Sequence, residues 1–304
     1  MAKTSLASAI AVNDKWSKAR PLTAVFVGAT SGIGEYTIRS LAAHYGKNLS
    51  LIRNVDVACK EIKKLVSESS TDKGAVACID LLVMSYADFH IGGRRETSEG
   101  LNKTMSMLYY SRMRFTTNLL PLMRSSEAAH VILVFGAGLE QMKDWDENDM
   151  SFRNAKRYNM SRARIHNTDK VSFIHVYPRL VITPAFGNQD LPTWFRAVWT
   201  VTKPFVKYAI AISPKEIRER ILYLSSSALP PKDFYAHAGD KTIKLAMSTD
   251  SMIGSRAYAC KHDAETIDVQ EKYKSLRASK VDEKVWEHTL SVFSQIQENG
   301  VFKG

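Results

Sequence analysis

The residues best suited to chemistry by type and spacing are Gly28, Thr30, Ser31, Gly32, Ile33 and Gly34, in the run Ala24-Val25-Phe26-Val27-Gly28-Ala29-Thr30-Ser31-Gly32-Ile33-Gly34. A short apolar run breaks into a glycine turn and reopens as a helix, which is how a dinucleotide phosphate site is built. Gly28 lets the chain leave the strand sharply. Gly32 removes the Cβ that would block a pyrophosphate, and Gly34 lets the helix press on the sheet. Thr30 and Ser31 add hydroxyl donors. Amides at the start of the helix, from Ile33 to about Tyr45, then point at the anion with the positive end of the helix dipole behind them.

The elements that must hold this turn are read from alternating patterns. Residues 1 to 21 form a leader with one short helix, and a helix from Glu35 to Tyr45 follows the glycine turn. An amphipathic helix is expected from about Val55 to Ser67, with Val57, Ile62, Leu65 and Val66 toward one face. Ser69 to Gly74 is a loop, Ala75 to Ser85 one apolar run, Gly100 to Met123 a long helix and Val131 to Phe135 a buried strand. Beyond Gly239, the stretch Arg256 to Cys260 reads as a strand. Ser279-Lys280-Val281-Asp282 reads as a capping box opening a helix through Val285, Trp286, Leu290, Phe293 and Ile296. Strand, helix and strand in alternation imply an α/β fold with a doubly wound parallel sheet, Rossmann-like, covered on both faces.

With 304 residues and 45% hydrophobic content, the chain suits one large domain. It divides into a dinucleotide-binding core over 22–228 and a C-terminal extension over 229–304 packed on it. No apolar run is long enough for a membrane span and the N-terminus is a poor signal peptide, so a cytoplasmic protein is expected. Cys59, Cys78 and Cys260 leave an odd count without metal spacing, which reads as reduced thiols. His44, His90, His130, His166 and His175 show no metal spacing either, so no metal is expected. The net charge of +11 comes from 42 basic residues that are scattered rather than striped. That pattern argues against a nucleic-acid partner and for a solvated surface that helps steer an anionic cofactor.

The loop from Gly28 to Gly34 resembles the cofactor loop of the short-chain dehydrogenase/reductase family, and other pieces fall in that family's order. Ile79 to Val83 resembles the strand before its Asn-Asn-Ala-Gly turn, and Leu119-Leu120-Pro121-Leu122-Met123 the end of its long central helix. Val131 to Gly136 is similar to the strand that carries the catalytic serine. Val171 to Pro178, followed by Val181 and Thr183, resembles the strand and turn beside the nicotinamide. Ser213-Pro214-Lys215-Glu216 to Leu224-Ser225 is similar to a late helix, so the resemblance runs from Ala24 to about Ser226. Arg95 to Leu101 and Tyr109-Tyr110-Ser111-Arg112 look most like divergent fungal members of secondary metabolism. Between the glycine loop and Leu81 there is room for little more than one βα unit where the family fits two. The fold is thus expected to be one unit short, which opens the adenine side of the cofactor site.

The resemblance implies hydride transfer between a nicotinamide and a carbonyl or alcohol. A tyrosine moves the proton, a lysine lowers its pKa, a serine holds the substrate oxygen and an asparagine supports a water relay. An unperturbed tyrosine titrates near 10, so a fixed cation is needed to bring phenolate chemistry toward neutral pH. This chain departs from the set. The asparagine position falls at about Leu108, the serine strand ends in Gly136-Ala137-Gly138, and Pro-Gly becomes Pro178-Arg179. Tyr158 has a cation, Arg162, four residues on and on one helical face, and the two are the candidate acid-base pair. Arginine lacks the donor geometry of the usual lysine. Tyr86, Tyr109 and Tyr110 are substitutes by neighbourhood.

Ser85, in the turn Met84-Ser85-Tyr86-Ala87, and Thr183 complete the cofactor residues that the resemblance implies. Leu49 to Asn54 aligns either with the family's second strand or with the start of a later helix. In the first case Arg53 would meet an adenosine 2′-phosphate and favour NADP over NAD. Trp194 to Ile210 occupies the substrate-lid region. Its aromatic bulk and cations suit a large apolar substrate, shallow peripheral membrane contact or ordinary packing. The expectation is an NADP-dependent oxidoreductase acting on a hydrophobic small molecule, with an oligomeric assembly left open. The alternative is a degenerate member that isomerises, cyclises or only binds a metabolite.

Overall fold

The computed structural model describes residues 4–19, 22–28, 33, 49–71, 74–88, 90, 93–138, 149–151, 170–183, 191–232 and 245–304. Five strands form one sheet in the order β1 (Ala24–Val27), β2 (Leu81–Met84), β3 (Ala129–Val134), β4 (Val171–Val176) and β5 (Ala257–Cys260). All four pairings are parallel. A parallel sheet needs cover on both faces, and the three central strands β2, β3 and β4 are correspondingly short, apolar and mostly buried.

Alternate side chains feed two cores. On one face Leu82, Met84 and Val131 meet Phe115, Leu119 and Met123 of α4 (Ser111–Arg124), with Val55 and Val66 of α2 (Ile52–Thr71) behind them. On the other, Leu81, Val83, Ile132 and Ile174 meet Ile217, Ile221 and Leu224 at α6 (Pro214–Tyr223). The doubly wound, Rossmann-like α/β reading therefore holds. The leader forms α1 (Leu6–Ala19), docked on α6 where Asn13 Nδ2 donates to Glu219 O at 2.9 Å and to its Oε2 at 3.0 Å.

Several expectations need correction. β1 pairs directly with β2, and among the described residues no strand lies between Val27 and Leu81. Residues 49–51 are a turn and 52–54 open α2, so the helix alternative is the one realised. Its buried positions are Ile52, Val55, Ala58, Cys59 and Val66, while Val57 and Leu65 are 42% and 59% exposed. The apolar face is thus turned from the one the pattern suggested. Only Leu81–Met84 of the run from Ala75 to Ser85 pairs as strand. The long helix is realised as α3 (Lys103–Met105), a π turn over Ser106–Tyr110, and α4.

The region beyond residue 229 contributes β5 to the sheet as well as α7 (Gln270–Ala278) and α8 (Val281–Asn299). The capping box is not formed. Lys280 is the N-cap at φ 51° and no side chain caps the helix. Val285, Phe293 and Ile296 are buried as the pattern predicts, but Leu290 is exposed.

Candidate functional site at the carboxyl edge of the sheet

Parallel strands deliver all their carboxyl ends to one edge, and that edge is where ligands settle in open α/β sheets. The register pairs Val27 with Met84 and Val134 with Val176. Gly28, Ser85, the segment 136–138 and the segment 177–183 therefore leave the sheet side by side.

Gly28 follows β1 at φ +87°, in the left-handed region. A Cβ there would lie 2.6 Å from the backbone nitrogen of Tyr86 and 2.9 Å from its Cα. Both observations require glycine, the first for the turn and the second for close approach to the neighbouring strand end. Ser85 fixes that approach. Its N–H donates to Val27 O at 3.1 Å and its hydroxyl to Gly28 O at 3.3 Å. Ile33 is helical and packs against the sheet face covered by α6. Thr30, Ser31, Gly32 and Gly34 lie outside the described residues.

The segment after β4 carries Thr183, half-buried beyond the buried Val181. Arg179 stands at φ 59° where the family's turn has glycine, a conformation that L side chains rarely adopt. The Ile212 N–H donates to Leu180 O at 3.0 Å and pins this turn from the side of α6. At the end of β3, Ala137 is buried in a small cluster with Ala259, Val269 and Tyr273. Gly138 has φ +81°, and a Cβ there would come within 2.9 Å of Ile267 Cδ1. The place where the family sets its serine is thus an apolar floor backed by the C-terminal region.

The proposed acid-base pair, Tyr158 and Arg162, lies outside the described residues. The substitute tyrosines are structural. Tyr86 shares a hydrogen bond with Ser111 Oγ at 2.9 Å, Tyr109 with Thr289 Oγ1 at 2.8 Å and Tyr110 with His288 Nε2 at 3.0 Å. Burial pushes all three hydroxyls far above the ordinary tyrosine range, and only Tyr86 has a cation, Arg112, pulling back. Each therefore holds its proton more tightly than an ordinary tyrosine, the opposite of the lowered pKa that the family's chemistry calls for.

Arg53 also needs correction. It sits in the first turn of α2, where its Nε donates to Glu99 Oε1 at 3.0 Å, and so does not stand at the end of a second strand as the 2′-phosphate reading required. The buried Glu99 carboxylate also accepts the N–H of Ile52 at 2.6 Å and of Arg53 at 3.0 Å, capping α2 from 47 residues away.

A residue that sequence reasoning did not single out is Arg112. Its guanidinium is buried and donates to Tyr86 O at 2.5 Å and to Val134 O at 3.3 Å, which ties the ends of β2 and β3 together. It lies over the Tyr86 ring at 5.2 Å. Burial lowers its pKa to about 10, so it stays charged at neutral pH. The signal was present in the run Tyr109 to Arg112, which reads as chemistry by residue type and proves to be scaffold.

Five parallel strands, helices on both faces and a glycine turn at the carboxyl edge define a Rossmann-like α/β fold. No protein-family model matches the chain. It is 31% identical to oxidoreductase AN1596 of Emericella nidulans over 327 residues, covering 90% of this chain and 93% of the relative. It is 29% identical to the short-chain dehydrogenase/reductase SAT2 of Stachybotrys chartarum over 331 residues, covering 90% and 92%. The chain belongs to the short-chain dehydrogenase/reductase family of oxidoreductases. Both alignments are longer than its 304 residues, so these relatives hold segments that it lacks. Among solved structures, the RhlG/NADP active-site complex of Pseudomonas aeruginosa gives a TM-score of 0.45 at 17% identity, over 70% of this chain and 92% of that one.

Proposed function

We propose that this chain is an NADP(H)-dependent oxidoreductase acting on a carbonyl or alcohol of a large apolar small molecule, of the kind made in secondary metabolism. The observation that carries the reading is the Gly28 turn, held in the left-handed region against the Ser85-Tyr86 strand end at the carboxyl edge of a parallel sheet. Gly28, Thr30, Ser31, Gly32, Ile33 and Gly34 would hold the diphosphate, with Ser85 and Thr183 further along the same edge. The nicotinamide cofactor, when bound, supplies or accepts the hydride. Tyr158 is the proposed proton donor, with Arg162 lowering its pKa through charge. With Arg53 engaged by Glu99, preference for the phosphorylated dinucleotide rests on the net charge of +11, whose field attracts the more anionic ligand. The apolar floor at Ala137 and Gly138 and the half-buried aromatic residues Phe195 and Trp199 favour a hydrophobic substrate.

The test is NADPH oxidation over a panel of hydrophobic ketones, comparing the native chain with Tyr158→Phe. Turnover in the native protein that falls roughly a hundredfold or more in the variant, with NADPH affinity unchanged, is the expected result. Native-like turnover in Tyr158→Phe removes the proton-donor assignment. Tight NADPH binding without oxidation of the cofactor on any ketone removes the redox reading.

A further inference from the structure

We infer that helix α5 (Thr193–Ala209) docks the protein on an anionic lipid surface. The helix has no buried residue at all. Its large side chains instead form an outward stripe, with Trp194 62%, Val198 54%, Val201 69%, Phe205 74% and Tyr208 86% exposed. These positions step by four, three, four and three residues, so they line one side of the helix over its whole length. The half-buried positions Phe195, Trp199, Thr202 and Val206 follow the same spacing one residue on, which turns them about 100° away. The half-buried side of α5 is thus separate from the outward stripe.

Charge selects the occupant. From Leu191 to Ile212 the chain has Arg196, Lys203 and Lys207 and not one Asp or Glu. At 100° per residue these cations lie about 140–180° around the helix from the stripe, on its opposite, polar side. The net charge of +11 attracts the whole molecule to an anionic headgroup layer and repels a second copy carrying the same charge. Trp194 near one end and Tyr208 near the other are the residue types that settle at the level of lipid headgroups. An apolar and aromatic face with cations elsewhere on the helix and no acid is the pattern of a helix that lies in the plane of a membrane surface. The inference is independent of the cofactor and the reaction.

The experiment is co-sedimentation of the full chain with vesicles of phosphatidylcholine alone or with about one third phosphatidylserine. The native chain is compared with Val201→Ser/Phe205→Ser, a double variant that leaves the net charge unchanged. Both side chains are mostly exposed, so circular dichroism and the melting temperature should match those of the native protein. Binding to the anionic vesicles roughly tenfold stronger than to neutral ones, lost in the double variant, is the expected outcome. No binding of the native chain to the anionic vesicles overturns the inference. So does binding that survives in the double variant, which would place the lipid contact on the general basic surface. Light scattering that shows a native dimer dissociating in the variant would assign the stripe to a second copy and overturn it too.

Discussion

Arg112 is a buried charge whose hydrogen-bond partners among the described residues are backbone carbonyls. Lowering its pKa from the ordinary 12.5 to about 10 corresponds to about 3 kcal/mol against the charged form in the folded state. Its hydrogen bonds to the carbonyls of Tyr86 and Val134 offset a similar amount, since bonds from charged donors contribute about 1.5–3 kcal/mol each. Burying an arginine therefore gains the fold little, but it fixes the ends of β2 and β3, the first of which lies against the Gly28 turn. Arg112→Met should change the unfolding free energy by less than about 2 kcal/mol while weakening NADPH binding, as measured by denaturant titration and by cofactor titration. A loss of stability above about 4 kcal/mol with cofactor affinity intact would show that the residue serves the fold alone. At this scale the sequence was legible where glycine chemistry is local, at Gly28. It misled where a residue type suggests reactivity but burial decides the matter, as in Tyr86, Tyr109 and Tyr110.

At the level of elements, α2 is held by a cap it does not carry. Glu99 reaches its first turn from the loop before α3, and Gly100, at φ +78°, lets that loop pass against Phe302 O, where a Cβ would come within 2.2 Å. The Phe302 N–H in turn donates to Glu99 O at 2.9 Å, which ties the chain end beyond α8 to the same loop. Replacing Glu99 by Ala leaves a buried Ile52 N–H without an acceptor and removes a negative group from a helix N-terminus. The expected cost is about 2–3 kcal/mol by chemical denaturation, with Glu99→Gln losing less because one acceptor oxygen remains. Equal stability of native and Glu99→Ala proteins would contradict the capping role. This also explains why Leu49 to Asn54 could be aligned two ways. A helix start is read from a local capping residue, and here the acceptor lies 47 residues downstream. The turned face of α2 has a similar origin, since its apolar residues outnumber the positions that α4 can cover, and Val57 and Leu65 are left outside.

At the scale of the whole molecule, parallel pairing turns a chain of separated motifs into a single edge. Residues 28, 85, 136–138 and 177–183 are far apart in sequence and adjacent only because β1 to β4 run the same way in register. Strand and helix alternation made that edge legible before any coordinates, because a doubly wound sheet has no other way to satisfy buried strands. The direct pairing of β1 with β2 was legible only as a shortage of residues. β5 joins the sheet from a region that the sequence assigned to an extension, because strand partners so distant leave no local trace.

The central claim is that backbone groups of the first turn bind a dinucleotide diphosphate. Isothermal titration of NADPH into the native chain and into Gly32→Asp tests it most directly. The account predicts saturable binding to the native protein and an affinity at least roughly a hundredfold weaker in the variant, with the melting temperature nearly unchanged, because an added carboxylate both fills the phosphate position and repels it. Equal affinity in the two proteins would contradict it.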